Sequence, residues 1–341
     1  MIYSGNIKMK ELAIVILNYN GRKHLETYLP AVVEYADAHT IVVIDNASTD
    51  DSCQFILNHF FDIQLIKLET NFGFAKGYNE GLKHIQGEFR NYLLLNSDVE
   101  PTEGFLTPLL LQINKDKVAA VQPKILSHSL KTHFEHAGAA GGYIDRNGFP
   151  FCRGRIFGEC EKDQGQYNDA AQVFWASGAC MMVKANLYHT IEGFDNTFYA
   201  HMEEIDLCWR MQKAGYEIWV APSSVVYHLG GGTLAYDSPK KVFLNFRNNL
   251  FMLAKNVEGF WPGKLFIRMA LDGLAAIQFL VTGKPLLFWK VFLAHMAFYG
   301  ALPYLIGKRT KTKHPVFGMY KGNIVIDYFL KKKNKYSDLN L

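Results

Sequence analysis

Four groups of residues in this sequence have types and spacings that chemistry requires. Asn96-Ser97-Asp98 closes the apolar run from Tyr92 to Leu95. A carboxylate there is either the cap of a turn and of a helix starting near Thr102, or a hard oxygen donor for a divalent cation. Glu203-Glu204-Ile205-Asp206 places three carboxylates within four positions, just ahead of a helix predicted to run to about Lys213. One carboxylate would satisfy the helix dipole. Like charges this close raise the pKa of one of them, which suits a general base. His228 precedes Leu229-Gly230-Gly231-Gly232-Thr233, so it is either a structural histidine or the opening of a glycine turn whose amides face an anion. Asn18, Asp45 and Asn71 each stand at the end of a predicted strand. Singly they read as turn residues; as a set they can hydrogen-bond a pyrimidine edge and a ribose.

The elements that must position these groups alternate between strand and helix. Residues 12–17 form a continuous apolar run that stops at Asn18-Tyr19-Asn20-Gly21, as a buried parallel strand does at a turn. Helical character follows over 22–38, then a second β-branched strand over 40–44. Ser48-Thr49-Asp50-Asp51 supplies a cap and acidic first turn for a helix to about Phe60. A third strand over 63–68 leads to Asn71-Phe72-Gly73-Phe74-Ala75-Lys76-Gly77 and a helix over 75–85, after which the chain reaches Tyr92. This alternation predicts an α/β fold, a doubly wound and mostly parallel sheet whose ligands sit beyond the carboxyl ends of its strands. Beyond Asp98 a helix over 102–114 and a strand over 118–122 follow. The glycine-rich stretch 127–172 reads as too polar and too interrupted for core, hence as loops and short hairpins over the site. Residues 174–183 read as one strand, with Gly178 where a backbone or ligand approaches closely, and 217–221 and 225–228 as strand pieces. The helix predicted over 240–256 carries Arg247, which either meets a phosphate or lies along a helix face.

Several function classes lose their support. No Gly-x-Gly-x-x-Gly follows the first strand and no Gly-Lys-Ser/Thr loop occurs, which argues against dinucleotide and P-loop readings. Five cysteines, Cys53, Cys152, Cys160, Cys180 and Cys208, are odd in number and form no Cys-x-x-Cys pair. A disulfide framework or zinc ribbon is therefore not expected, and the thiols read as reduced and cytosolic. Residues 1–10 hold no apolar core of signal-peptide length. The chain of 341 residues is 49% apolar and 20% charged with a net charge of +4, ordinary for a globular protein of one large or two modest domains. Basic residues crowd late, at Lys308, Arg309, Lys311, Lys313, Lys331, Lys332, Lys333 and Lys335, which suggests an anionic partner there. Nucleic acid is not among the expected partners. Residues 274–281 and 286–306 are strongly apolar, the second broken by Lys290, His295 and Pro303. Two helices lying in a membrane interface, flanked by lysines, account for both compositions; a spanning helix and a surface for a second copy are the alternatives.

Taken together, Asn18-Tyr19-Asn20, Asp45-Asn46-Ala47-Ser48-Thr49-Asp50, the 71–77 segment, Asn96-Ser97-Asp98, Ser177-Gly178-Ala179, the run from Glu203 to Arg210 and His228 resemble the family 2 glycosyltransferases of GT-A fold, nearest to bacterial rhamnosyltransferase-like members. The resemblance implies a metal-dependent, inverting transfer of a sugar, rhamnose favoured, from a nucleoside diphosphate to an acceptor hydroxyl of a glycan; the apolar C-terminal helices add the expectation of a polyprenyl-linked one. It implies a nucleotide site of Asn18, Asn20, Asp45, Asn71, Gly73, Lys76 and Asn96, and Mg2+ or Mn2+ on Asp98 and His228. Glu204 would be the base, with Glu203 second, and Trp175, Gly178 and Asp206 would face the acceptor or sugar. Residues 10–255 would be the transferase domain, with a nucleotide-sugar half over 10–123 and an acceptor and catalytic half over 124–255. Residues 256–341 would form a helical, membrane-interfacial extension at the inner face of the cell membrane. The sequence departs from the family pattern at Asn96, which replaces the first acid of Asp-x-Asp, and at Glu204, where Asp is commoner. A sugar nucleotidyltransferase or a non-catalytic, membrane-docked sugar-nucleotide-binding subunit are the competing readings.

Overall fold

The computed structural model describes residues 9–230 and 238–341. Gly231, Gly232 and Thr233 of the glycine turn, and residues 1–8 of the N-terminal stretch, lie outside the described residues. Strand and helix alternate through β1 (Lys10–Asn18), α1 (Arg22–Glu34), β2 (Thr40–Asp45), α2 (Ser52–His59), β3 (Gln64–Lys67), α3 (Gly73–Lys83) and β4 (Phe89–Asn96). The four strands pair in parallel in the order β3-β2-β1-β4. Alternation along β1 shows why a continuous apolar run is needed: Ala13 and Val15 pack with Tyr78 and Leu82 of α3, while Leu12, Ile14 and Ile16 pack with Leu25 and Leu29 of α1 and with Phe55 and Ile56 of α2. Both faces of a parallel strand are covered by helices, so neither can be polar.

The chain then makes β5 (Val99–Pro101), α4 (Leu106–Ile113) and β6 (Val118–Ser127). The helix expected from Thr102 starts at Leu106, because Val99 to Pro101 are drawn off as a strand. The stretch expected to be loops builds β7 (Gly142–Asp145), β8 (Pro150–Cys152), β9 (Arg155–Ile156) and β10 (Glu159–Cys160) of a second sheet. This corrects the view that it is too polar for core: Phe134, Tyr143, Ile144, Phe151 and Ile156 are all buried. Its strands are too short for apolar periodicity to show. Gly154, at φ 100°, turns β8 into β9 with the Phe134 ring 2.6 Å from where a Cβ would project, so no side chain fits this turn.

Next come β11 (Ala171–Val173), β12 (Cys180–Lys184), α5 (Ala185–Thr190), α6 (Glu203–Lys213), β13 (Glu217–His228) and α7 (Pro239–Asn256). The strand expected over 174–183 begins only at Cys180, since the backbone of Phe174 and Trp175 bonds Gly142 instead. The two expected pieces after Glu217 form one strand, β13, with a register shift between Ala221 and Val225. The main sheet runs β11-β13-β6-β12-β4-β1-β2-β3, with β5 added to β13.

The C-terminal part holds α8 (Trp261–Val281) and α9 (Pro285–Gly307), then β14 (Met319–Tyr320) and α10 (Ile324–Phe329). An exclusively helical extension is corrected here: β14 pairs with β7, and the Phe317 amide donates to Gln212 of α6 at 2.6 Å. The end of the chain thus packs on the same body as α8 and α9, which place Leu265, Phe298 and Leu305 in its core.

Candidate active site

Register places the polar strand ends side by side. Asn18 lies opposite Asp45 and Leu17 beside Asn96, so β1, β2 and β4 deliver their last residues to one crevice, where the strand order reverses. The Asn18 amide donates to Asp45 Oδ1 at 3.0 Å and to Ser48 Oγ at 3.1 Å. Asn20, at φ 50°, accepts from the Thr49 amide at 2.7 Å. Asn71 Oδ1 accepts from Asn46 at 3.1 Å and from the Gly73 amide at 2.9 Å. The Lys76 ammonium lies 4.2 Å from the centre of the Phe72 ring. Gly73 opens α3 at φ 77°, with Tyr199 ring atoms 2.6 Å from where a Cβ would sit. Asn46 and Ser48, not expected as site residues, cross-link this edge; their signal was adjacency to Asp45.

Asp98 and His228 are brought together by the β5–β13 pairing. Val99 registers with His228, and the Leu229 amide donates to the Asp98 carbonyl at 3.1 Å. Asp98 Oδ1 then lies 3.2 Å from His228 Nε2, and Glu135 Oε2 lies 3.2 Å from His228 Nδ1, all three residues being buried. Burial disfavours the imidazolium, yet hydrogen bonds and charge from Asp98 and Glu135 outweigh it and hold His228 up to about 10. Burial likewise opposes ionisation of Asp98 and Glu135, and His228 reverses it, so both carboxyls are held below their ordinary values. Among the described residues no three His, Cys, Asp or Glu side chains converge as metal ligands. The reason is geometric: Asp98 and Glu135 occupy opposite ring nitrogens, so only Asp98 and Nε2 face a common point. A divalent cation here would take one hard oxygen from Asp98 and would have to displace the Nε2 proton of His228 to gain the imidazole nitrogen, completing its shell from a diphosphate and water. Glu135 was missed by sequence reasoning, and no local pattern marks it.

The acidic pair is held by a strained loop. Tyr199, His201 and Met202 all have left-handed backbone, at φ 65°, 70° and 72°, a conformation that costs non-glycine residues about 1–3 kcal/mol each. Asn248 of α7 clamps it, its buried amide lying 2.9, 2.8 and 2.7 Å from the carbonyls of Phe198, Ala200 and His201. Arg247 donates to the carbonyls of Thr197 and Phe198, so it braces this loop. Glu203 and Glu204 follow directly at the head of α6. Burial raises both: Glu204 reaches about 7, and Glu203, next to that charge, rises well above its ordinary value. A Cβ placed on Gly178 would lie 3.8 Å from the Glu204 Cβ and 3.6 Å from the Phe74 ring, and the carbonyl of the following residue, Ala179, accepts from the Asn96 amide at 2.9 Å. Glu204 and the Asn96-Ser97-Asp98 turn therefore border the same crevice.

Two expected acceptor contacts are corrected. Asp206 has no exposed surface; Arg210 at 2.8 Å, Lys255 at 2.9 Å and Asn256 at 2.7 Å consume its oxygens. Burial resists its ionisation, but Lys255 and Arg210 prevail and hold it down to about 2. Trp175 is buried and donates from Nε1 to the Tyr143 carbonyl at 2.9 Å. The i,i+4 spacing of Asp206 and Arg210 was the available signal for the first.

The family model described as Glycosyl transferase family 2 matches residues 13–190, just over half of the chain. The chain is 23% identical over 283 residues to an N-acetylglucosaminyl-diphospho-decaprenol L-rhamnosyltransferase of Mycobacterium tuberculosis, covering 78% of this chain and 91% of that protein. It is 24% identical to a low-salt glycan biosynthesis hexosyltransferase of Haloferax volcanii, covering 73% and 76%. Its fold resembles a mannosyltransferase from Pyrobaculum calidifontis in complex with GDP-Man and Mn2+ (TM-score 0.51, 16% identity, covering 88% and 89%). It also resembles S. aureus TarS in complex with UDP-GlcNAc (TM-score 0.54, 16% identity, covering 88% and 84%). On this evidence the chain belongs to glycosyltransferase family 2, as an enzyme of GT-A fold similar to rhamnosyltransferases.

Proposed function

We propose that this transferase is metal-dependent and inverting, and moves a sugar, rhamnose favoured, from a nucleoside diphosphate to a hydroxyl of a polyprenyl-diphosphate-linked glycan during cell-surface polysaccharide synthesis. The observation that supports the reading is the pair of metal-compatible groups, Asp98 and His228, 3.2 Å apart, with a carboxyl of raised pKa, Glu204, beside Gly178, whose neighbour Ala179 bonds the Asn96 amide. When bound, the cation would offset charge growing on the departing diphosphate. Asp98 and His228 Nε2 would hold it, Asn18, Asn20, Asp45, Asn71, Gly73, Lys76 and Asn96 would form the nucleotide edge, and Gly178 leaves room for the sugar beside Glu204. Glu204, its pKa raised by burial, would take the acceptor proton as oxygen attacks the anomeric carbon. One carboxylate suffices because a diphosphate departs as a stabilised anion and needs no general acid, unlike the leaving group of a glycoside hydrolase.

Peripheral attachment at the cytoplasmic face of the membrane fits the C-terminal hairpin. Phe266, Leu274, Ile277 and Val281 of α8 and Leu286, Trp289, Phe292 and Met296 of α9 are exposed. Three ionisable residues turn inward instead: Arg268 donates to Asp272 at 2.8 Å and His295 lies 3.6 Å from Asp272. Such a split surface suits an interface more than water. The rhamnosyltransferase relative, named for a diphospho-decaprenol acceptor, supports the same substrate class.

Metal-stripped enzyme given a panel of nucleotide sugars, Mn2+ and a polyprenyl-diphosphate glycan tests this directly. Nucleoside diphosphate should appear only with metal and acceptor together, and the product linkage should be inverted by NMR. Release from no donor, or equal release after chelation, sinks the proposal.

Glu135 enters as a positioning residue. Its carboxylate, 3.2 Å from Nδ1, holds the imidazole with Nε2 directed at Asp98. Glu135→Gln is expected to weaken Mn2+ binding, followed by electron paramagnetic resonance, by about 10–100-fold; unchanged Mn2+ affinity would remove that role.

A further inference from the structure

A cavity of about 710 Å³ lies between the C-terminal half of α6, the turn after α5 and the segment 307–313 after α9. Glu204 is in the first turn of α6 whereas Lys213 closes it. At 1.5 Å per residue roughly 9 Å of helix separates the proposed base from Arg210, where α6 first lines this cavity, and none of the residues proposed for donor, metal or base lines it.

Its lining is strongly cationic, with seven Lys and Arg side chains against two carboxylates, Glu192 and Asp195. The carboxylates are already committed, Asp195 to Lys255 at 2.6 Å and Glu192 to Lys308 at 3.3 Å. Arg210 is held by Asp206 at 2.8 Å and Lys213 by Glu258 at 3.4 Å. Arg309 donates to the carbonyls of Ala254 and Val257 and lies over the Trp261 ring, sharing the charge of Glu258 with Lys213, so four carboxylates face seven cations here. Lys311 and Lys313 are exposed at the rim, and among the described residues no carboxylate is paired with either. Three uncompensated positive charges around a cavity this large call for an anion with several acceptor oxygens.

The surroundings indicate where that anion comes from. The exposed face of α9, with Trp289, Phe292, Met296 and Tyr299, leads along the helix to Tyr304, which lines the cavity and hydrogen-bonds Asp195. A helix lying in a bilayer interface would bring its cavity end to headgroup depth.

We propose that this cavity is a phosphate-binding site, filled at the membrane by the headgroup of an anionic phospholipid and in solution by inorganic phosphate. The lipid source rests on the interfacial placement of α9 given above; the phosphate chemistry does not. The test compares the full-length protein with Lys311→Ala/Lys313→Ala and with a charge-matched pair outside the cavity, Lys332→Ala/Lys335→Ala. Binding to phosphatidylcholine vesicles with and without phosphatidylglycerol is followed by flotation, and inorganic phosphate is titrated against the unfolding temperature.

The cavity pair should weaken binding to phosphatidylglycerol vesicles by about tenfold or more and should lose the phosphate-dependent rise in unfolding temperature. The outside pair should retain both. Equal losses in the two pairs, or no loss in either, overturn the site. A phosphate response confined to the parent and the outside pair, with no vesicle binding by any protein, keeps the phosphate site and removes the interfacial reading.

Discussion

Replacing Glu204 with Gln should slow sugar transfer by about 10²–10⁴-fold and leave binding of a nucleoside diphosphate with Mn2+ intact. Gln preserves volume and can still accept a hydrogen bond, but it has no lone pair basic enough to take the acceptor proton. Single-turnover transfer and equilibrium binding of the diphosphate separate the two effects. A variant that transfers at the parent rate would end the assignment. The parent enzyme carries a second signature. Burial holds Glu204 up to about 7 against an ordinary 4.5, so the rate should rise as pH climbs through about 7. Stability should run the other way. A carboxyl whose folded value exceeds its unfolded value binds more protons when folded, so its contribution is complete below 4.5 and is lost as pH rises towards 7. Opposite slopes of activity and stability in one pH window would distinguish a buried base from a merely buried acid.

Lys255→Met should destabilise the protein by about 3–5 kcal/mol, a large part of the roughly 5–15 kcal/mol typical of a folded domain. Lys255 is buried and bridges Asp195 at 2.6 Å and Asp206 at 2.9 Å. Removing the ammonium leaves Asp195 with only neutral donors and Asp206 with Arg210 as its one cationic partner, in surroundings where unpaired charge is expensive. Denaturant melts of the parent and variant measure the difference. A midpoint shift under about 1 kcal/mol would show that Arg210 and Asn256 alone carry Asp206. Asp206 also sets an acid limit: its folded value of about 2 lies below its ordinary 3.8, so its contribution is present above 3.8 and is lost as pH falls through about 2.

This ion cluster shows what kind of information the sequence lacked. Asp206 was expected at the acceptor because it shares a run with Glu203 and Glu204. Helical phase sets Asp206 on the opposite face from Glu204, two residues away, and turns it inward to Arg210. That half of the arrangement was legible from spacing. The other half, Lys255 on a different helix 49 residues later, was not. Trp175 misled for a related reason: the chain leaves the strand direction at Phe174 to bond Gly142, and nothing local announces the detour.

What the sequence by itself determined is the half of the molecule governed by short-range periodicity. Apolar runs of strand length that stop at or shortly before Asn or Asp and alternate with helices dictate a parallel sheet whose polar strand ends share one edge. Asn18, Asp45 and Asn96 meet there because the period of a strand and the connection rules for βαβ units leave little choice. Only the tertiary structure decided which distant polar groups face one another. The β5–β13 ladder sets Asp98 against His228, Glu135 reaches the far side of that imidazole, Asn248 clamps the loop ahead of Glu203, and the end of α9 frames a cationic cavity. Burial of apolar surface is non-directional and leaves its imprint in every few residues. The partner of a buried polar group depends on chain closure over long separations, and no local pattern records it.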